Sequence, residues 1–192
     1  MKHIGIFAGS FDPIHQGHLA FALSAATVCG LDKVYFLPEA EPRHKPLPTP
    51  IKDRLALLKL ALKPHKTLVA LDLGDMQFNV KQSLPKLQKR FAGTKLYLLI
   101  GSDVEPTIKK WLGAVKLLKS MELICGHRQV AAKAPSKNKP KTIYTNFADI
   151  NSSVIRRELT RGNLPHGLPP ELHGYIQKHS LYGFAGGIAS AK

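Results

Sequence analysis

The chain has 192 residues, 44% of them hydrophobic, which is enough for one domain with a full core. No apolar run approaches the roughly 20 residues that span a bilayer, and the N-terminus opens on strand-like residues, not on a signal region, so no membrane segment is expected and the cytoplasm is the expected location. The 28 Lys and Arg against 13 Asp and Glu set a net charge of +15, which suits either a polyanion or small phosphates as partner. With aromatics at 7% and not interleaved with the basic residues, dedicated nucleic-acid binding is not expected.

The first element is a buried strand at Ile4-Gly5-Ile6-Phe7, followed by Gly9-Ser10-Phe11-Asp12-Pro13-Ile14-His15-Gln16-Gly17-His18 and a helical run from Leu19 to Ala26 that Gly30 closes. A strand end, tight turn and helix start in this order place backbone N–H groups and a partial positive charge where open parallel sheets bind anions. His15 and His18 are three apart and share one side of the first helical turn. Further strands are expected at Lys33 to Leu37, Thr67 to Leu71, Lys95 to Ile100, Glu122 to Cys125 and Thr142 to Thr145. Between them, Pro38 to Lys45 reads as a loop with a cationic tip, and Ile51 to Leu62 as a helix with Leu55, Leu58 and Leu62 on one side. In Val80 to Phe91, Pro85 allows either a kinked helix from Asn79 or, preferred, one capped by Ser83 with the proline in its first turn.

Lys133, Lys137, Lys139 and Lys141 lie in an Ala-, Pro- and Ser-rich segment expected to be a mobile loop. Asn151 or Ser152 caps a helix running to Arg161, and Pro169 or Pro170 opens a last helix through about His179. The βαβ alternation predicts an α/β, doubly wound parallel sheet with a small C-terminal helical part, in a single domain over 1–183 with a flexible tail at 184–192. Cys29 and Cys125 have no partner at metal-ligand spacing; both read as free thiols, and no metal held by protein ligands is expected.

The run from Gly9 to His18 resembles the signature of the nucleotidyltransferase superfamily. The order of motifs as a whole resembles the bacterial nicotinate-mononucleotide adenylyltransferases. That resemblance takes in Pro42 to Lys45, Gly101-Ser102-Asp103 with Trp111 eight residues on, Ile150-Asn151-Ser152-Ser153-Val154-Ile155-Arg156, and Tyr175-Ile176-Gln177-Lys178-His179-Ser180-Leu181-Tyr182. It implies a Rossmann-like nucleotidyltransferase fold and transfer of AMP from ATP to a pyridine mononucleotide, with release of pyrophosphate. By resemblance, the catalytic residues are His15, His18, Lys45 and Arg156. ATP lies against Gly9, Ser10, Phe11, His15, His18, Gly101, Asp103, Ile150, Ser152, Ser153 and Arg156, and the mononucleotide against Lys45, Phe78, Asn79 and Trp111. Within these sets His18 meets the α-phosphate, Asp103 the ribose hydroxyls and Trp111 the pyridine ring. Mg²⁺ travels with ATP and has no fixed protein ligands.

The chain departs from the family where Gln77-Phe78-Asn79-Val80-Lys81-Gln82-Ser83-Leu84 replaces the usual Ser-Tyr-Thr-Val-Asp-Thr-Leu, and Ser102 and Asn151 are milder changes. The departure keeps nicotinamide mononucleotide open beside nicotinate mononucleotide as acceptor. Phosphopantetheine and cytidylyl transfer are further alternatives, against which His15 and the ending motif count. A basic RNA-binding protein that kept the fold without turnover is the reading from another class. A homo-oligomer remains open.

Overall fold

The computed structural model describes residues 1–42, 49–74, 77–127, 141–145 and 150–184, and among them six strands pair in parallel. These are β1 (His3–Gly9), β2 (Lys33–Pro38), β3 (Leu68–Ala70), β4 (Lys95–Gly101), β5 (Glu122–His127) and β6 (Lys141–Tyr144). Their order in the sheet is β3-β2-β1-β4-β5-β6. The helices are α1 (Gln16–Cys29), α2 (Ile51–Leu62), α3 (Ser83–Arg90), α4 (Ala114–Ser120), α5 (Ser152–Thr160) and α6 (His173–Lys178).

Strand residues alternate between two cores. Ile4 and Ile6 of β1 face the layer of α3 and α4, as do Leu96, Leu98 and Ile100 of β4. Phe7, Tyr97 and Leu99 face the layer built from α1, α2, α5 and α6. A sheet buried on both faces and wound in both directions is the architecture that the alternation of elements predicts. None of the helices described is long and apolar enough to cross a membrane.

Several boundaries move, each for a local reason. The expected strand Thr67 to Leu71 shortens to Leu68–Ala70, an edge strand paired only with Val34, Tyr35 and Phe36. Lys141, assigned to the basic loop, begins β6 instead, paired with Ile124; its loop neighbours Lys133, Lys137 and Lys139 lie outside the described residues. In α3 Gln82 is the cap and Ser83 the first helical residue, with Pro85 in the first turn where its missing N–H costs nothing. Ser83 Oγ instead accepts from the Asn79 N–H at 3.1 Å.

Asn151, not Ser152, caps α5, its Oδ1 accepting from the Val154 N–H at 2.9 Å. The last helix divides into a 3₁₀ turn at Pro170–Leu172 and α6. In α2 the buried side carries Asp53, Arg54, Leu57, Leu58, Ala61 and Leu62, so Leu55 falls off it. Phe184, placed in the tail, is 5% exposed and packed in the core; residues 185–192 lie outside the described residues.

Candidate active site

The chain runs from β1 outward through β2 to β3, then returns past β1 to β4. The carboxyl ends of β1 and β4 therefore flank the point where the winding direction reverses, and a crevice opens there in such sheets. Gly9 ends β1 and Gly101 ends β4, so both glycine-bearing motifs reach this edge.

From Gly9 the backbone turns sharply. Phe11 takes a φ of 45°, a left-handed value rare for a side chain of its size. Its ring sits beneath Gly9, 3.2 Å from where a Cβ there would stand. The same ring meets the His18 imidazole edge-on at 5.1 Å, and Phe7 meets it at 5.9 Å. His15 is the N-cap of α1 and only 3% exposed, with its ring stacked on His18 at 3.6 Å. The His15 N–H donates to His18 Nδ1 at 3.3 Å. That bond makes Nδ1 an acceptor, so the proton of a neutral His18 ring sits on Nε2.

The second motif docks on the first. Arg156 Nη1 donates to the Asp12 carbonyl at 2.7 Å and Nη2 to Ser153 Oγ at 3.3 Å, while Ser152 Oγ donates to the Pro13 carbonyl at 3.0 Å. The bonds to the Asp12 and Pro13 carbonyls cross 144 and 139 residues of chain, so the amino end of α5 is fixed against the histidine loop. Ile150, 6% exposed, packs its side chain under Gly167, whose carbonyl accepts the Gln16 N–H at 2.9 Å.

The C-terminal motif closes this corner as a clasp. Tyr182 Oη donates to Asp12 Oδ1 at 2.8 Å and Tyr175 Oη to Asp53 Oδ1 at 2.9 Å. Burial, and then the Asp12 carboxylate beside it, raise the Tyr182 phenol far above its ordinary value.

Arg54 is one residue that sequence reasoning missed. It is 1% exposed, and its guanidinium donates to the carbonyls of Thr49, Ser10, Glu39 and Ala40 at 2.7 to 2.9 Å. It thereby ties the loop after β1 to the loop after β2. Burial lowers its hold on the proton, and Asp12, Tyr182 and Glu39 oppose that shift. The acceptors are backbone carbonyls, which leave no mark in the sequence. Lys45, expected beside this loop, lies outside the described residues.

Of the residues assigned to the mononucleotide, Phe78 is 3% exposed and in the core, and its N–H goes to Glu39 Oε1 at 2.8 Å. Asn79 shapes the turn before α3, with Oδ1 accepting from the Gln82 N–H at 2.8 Å. Trp111 is half-buried and, with Asn79, Val80, Lys81, Gln82 and Leu112, lines a cleft of about 310 Å³. Its ring lies 6.3 Å from that of Phe78.

On the β4 side, the Asp103 carboxylate folds over Gly101, occupying the space a Cβ would need. Two residues on, Glu105 Oε2 lies 3.2 Å from Cys125 Sγ and 3.3 Å from His127 Nε2. Cys125 is a free thiol, as expected, yet it lies in a cluster that sequence spacing does not show, because Glu105 comes from 20 residues away. Burial and the Glu105 carboxylate push the Cys125 thiol up to about 12. Cys29 is a buried free thiol, as expected.

Comparison with known proteins fits this arrangement. A family model described as cytidylyltransferase-like matches residues 6–158. The chain is 34% identical to a probable nicotinate-nucleotide adenylyltransferase of Solibacter usitatus, over 93% of this chain and 98% of that one. It is 30% identical to one of Shouchella clausii, over 95% and 98%. The fold matches that of Plasmodium falciparum nicotinic acid mononucleotide adenylyltransferase complexed with NaAD, with a TM-score of 0.78 at 21% identity over 96% and 98% of the two chains. The likeness extends over nearly the full length, including the histidine loop and the helix docked on it, and the chain accordingly belongs to the cytidylyltransferase-like family, among the nicotinate-nucleotide adenylyltransferases.

Proposed function

We propose that the chain transfers AMP from ATP to nicotinate mononucleotide, forming the deamido dinucleotide of NAD biosynthesis and pyrophosphate. A phosphate oxygen of the mononucleotide bonds to the α-phosphorus of ATP as the bond to the bridging oxygen of pyrophosphate breaks. The attacking oxygen is already anionic, so no general base is required, and the protein's task is to align two anions and offset their charge.

The observation that carries this reading is the docking of Arg156, Ser152 and Ser153 on the loop that presents His15 and His18. His18, oriented by its Nδ1 bond and its aromatic neighbours, donates from Nε2 to the α-phosphate. Arg156 uses two of its five N–H donors within the protein and turns the others, with the amino end of α5, to the β- and γ-phosphates. Asp103 meets the ribose, and Trp111 offers its face to the pyridine in the 310 Å³ cleft.

The donors named here are cationic or N–H groups, and Asp12 is engaged with Tyr182; such a set fits Mg²⁺ carried by the phosphates of ATP and by water. The reaction belongs in the cytoplasm, where ATP is available.

Pyrophosphate release from MgATP, with nicotinate mononucleotide, nicotinamide mononucleotide or phosphopantetheine offered separately, tests the proposal. Nicotinate mononucleotide is expected to give the highest kcat/KM. Preference for phosphopantetheine, or release with none of the three, would overturn it.

A further inference from the structure

A cluster outside the machinery described above has the dimensions of a metal site. Cys125 and His127 are two apart on β5, so both side chains leave the same face of the sheet, while the intervening Gly126 faces the Phe21 ring on the other. Glu105 comes over from the turn after β4, a turn held to β5 by the Ser102 N–H to the Gly126 carbonyl at 3.0 Å. The three donor atoms form a nearly equilateral triangle: Sγ to Nε2 3.5 Å, Sγ to Oε2 3.2 Å and Nε2 to Oε2 3.3 Å.

We propose that Glu105, Cys125 and His127 bind one zinc ion, with water at the fourth position. Tetrahedral zinc with sulfur at about 2.3 Å and nitrogen and oxygen at about 2.1 Å requires donor separations of about 3.4 to 3.6 Å. The triangle meets these within a few tenths of an ångström. The donor set of one thiolate, one imidazole and one carboxylate suits zinc, whereas magnesium and calcium take oxygen. Cys125 is fully buried, but the side chains of Glu105 and His127 are 30% and 35% exposed, which leaves an approach from solvent.

The consequence is mechanical. The ion joins the turn after β4, which also carries Asp103, to the end of β5. It makes one crosslink where hydrogen bonds alone hold the two. The inference rests on these residues and not on the identity of the acceptor.

The full-length chain, freed of metal with a chelator, is titrated with Co²⁺ and then Zn²⁺. One equivalent of Co²⁺ is expected to produce a thiolate-to-cobalt charge-transfer band that Zn²⁺ abolishes, and Zn²⁺ alone is expected to raise the thermal midpoint. Cys125→Ser loses the band, Cys29→Ser keeps it, and His127→Gln and Glu105→Gln weaken binding by about tenfold or more. If Cys125→Ser does not fold, the two part-exposed variants carry the test. Absence of the band in the wild type, or unchanged affinity in both His127→Gln and Glu105→Gln, would overturn the proposal and leave a purely hydrogen-bonded triad.

Discussion

His18 is held from four directions: by the His15 ring, by the edges of Phe7 and Phe11, and by a backbone N–H on Nδ1. A side chain so constrained has little orientation left to lose when charge builds on a nearby oxygen, which is where a fixed donor contributes most. His18→Ala is expected to lower kcat by about a hundredfold or more while the circular dichroism spectrum persists; a kcat near wild type would reject the role. Gly101 makes a subtler case, since its missing Cβ is what lets the Asp103 carboxylate fold back. In Gly101→Ala that carboxylate must move, and we expect KM for ATP to rise about fivefold to tenfold with kcat little changed, as for one lost hydrogen bond. Steady-state kinetics with ATP varied would show the split, and an unchanged KM would remove Asp103 from the nucleotide contacts.

Elements here are positioned by contacts between loops as much as by the sheet. Gly167 has φ +88°, its carbonyl accepts the first N–H of α1, and a Cβ there would stand 2.6 to 2.9 Å from Ile150. Gly167→Ala combines a left-handed penalty of about 1–2 kcal/mol with overpacking of about 1–3 kcal/mol. Urea unfolding is expected to show a lower midpoint at an unchanged slope, and a shift worth less than about 0.5 kcal/mol would mean that the Ile150 contact gives way freely. Such contacts also explain what could be read from the sequence. The strands, the histidine pair and the proline in α3 follow from period, spacing and steric rules that act within a few residues, and they form where those rules put them apart from shifted ends at β3 and β6. The buried side of α2 was misjudged because Asp53 and Arg54 lie on it, bonded to Tyr175 and to four carbonyls that no local pattern announces. The Glu105 cluster escaped for a related reason: it exists only once β4 and β5 are paired.

For the molecule as a whole, the net charge of +15 and the raised phenol of half-buried Tyr182 shape the response to pH. Tyr182 holds its proton more tightly folded than unfolded, so above the ordinary value of 10.0 the unfolded chain binds fewer protons and stability falls as pH rises. Below that value its contribution is present in full. Tyr182→Phe also loses the bond to Asp12, so slopes and not midpoints are compared: between pH 9.5 and 11, roughly spanning the phenol range, the variant is expected to lose stability less steeply. Lysine titration, common to both proteins, cancels in that comparison, and equal slopes would contradict the raised phenol. The Asp12–Tyr182 bond joins positions 170 residues apart. During synthesis the histidine loop is made well before the arginine helix and the tyrosine that brace it. A growing chain thus carries an unbraced histidine loop until those later segments follow.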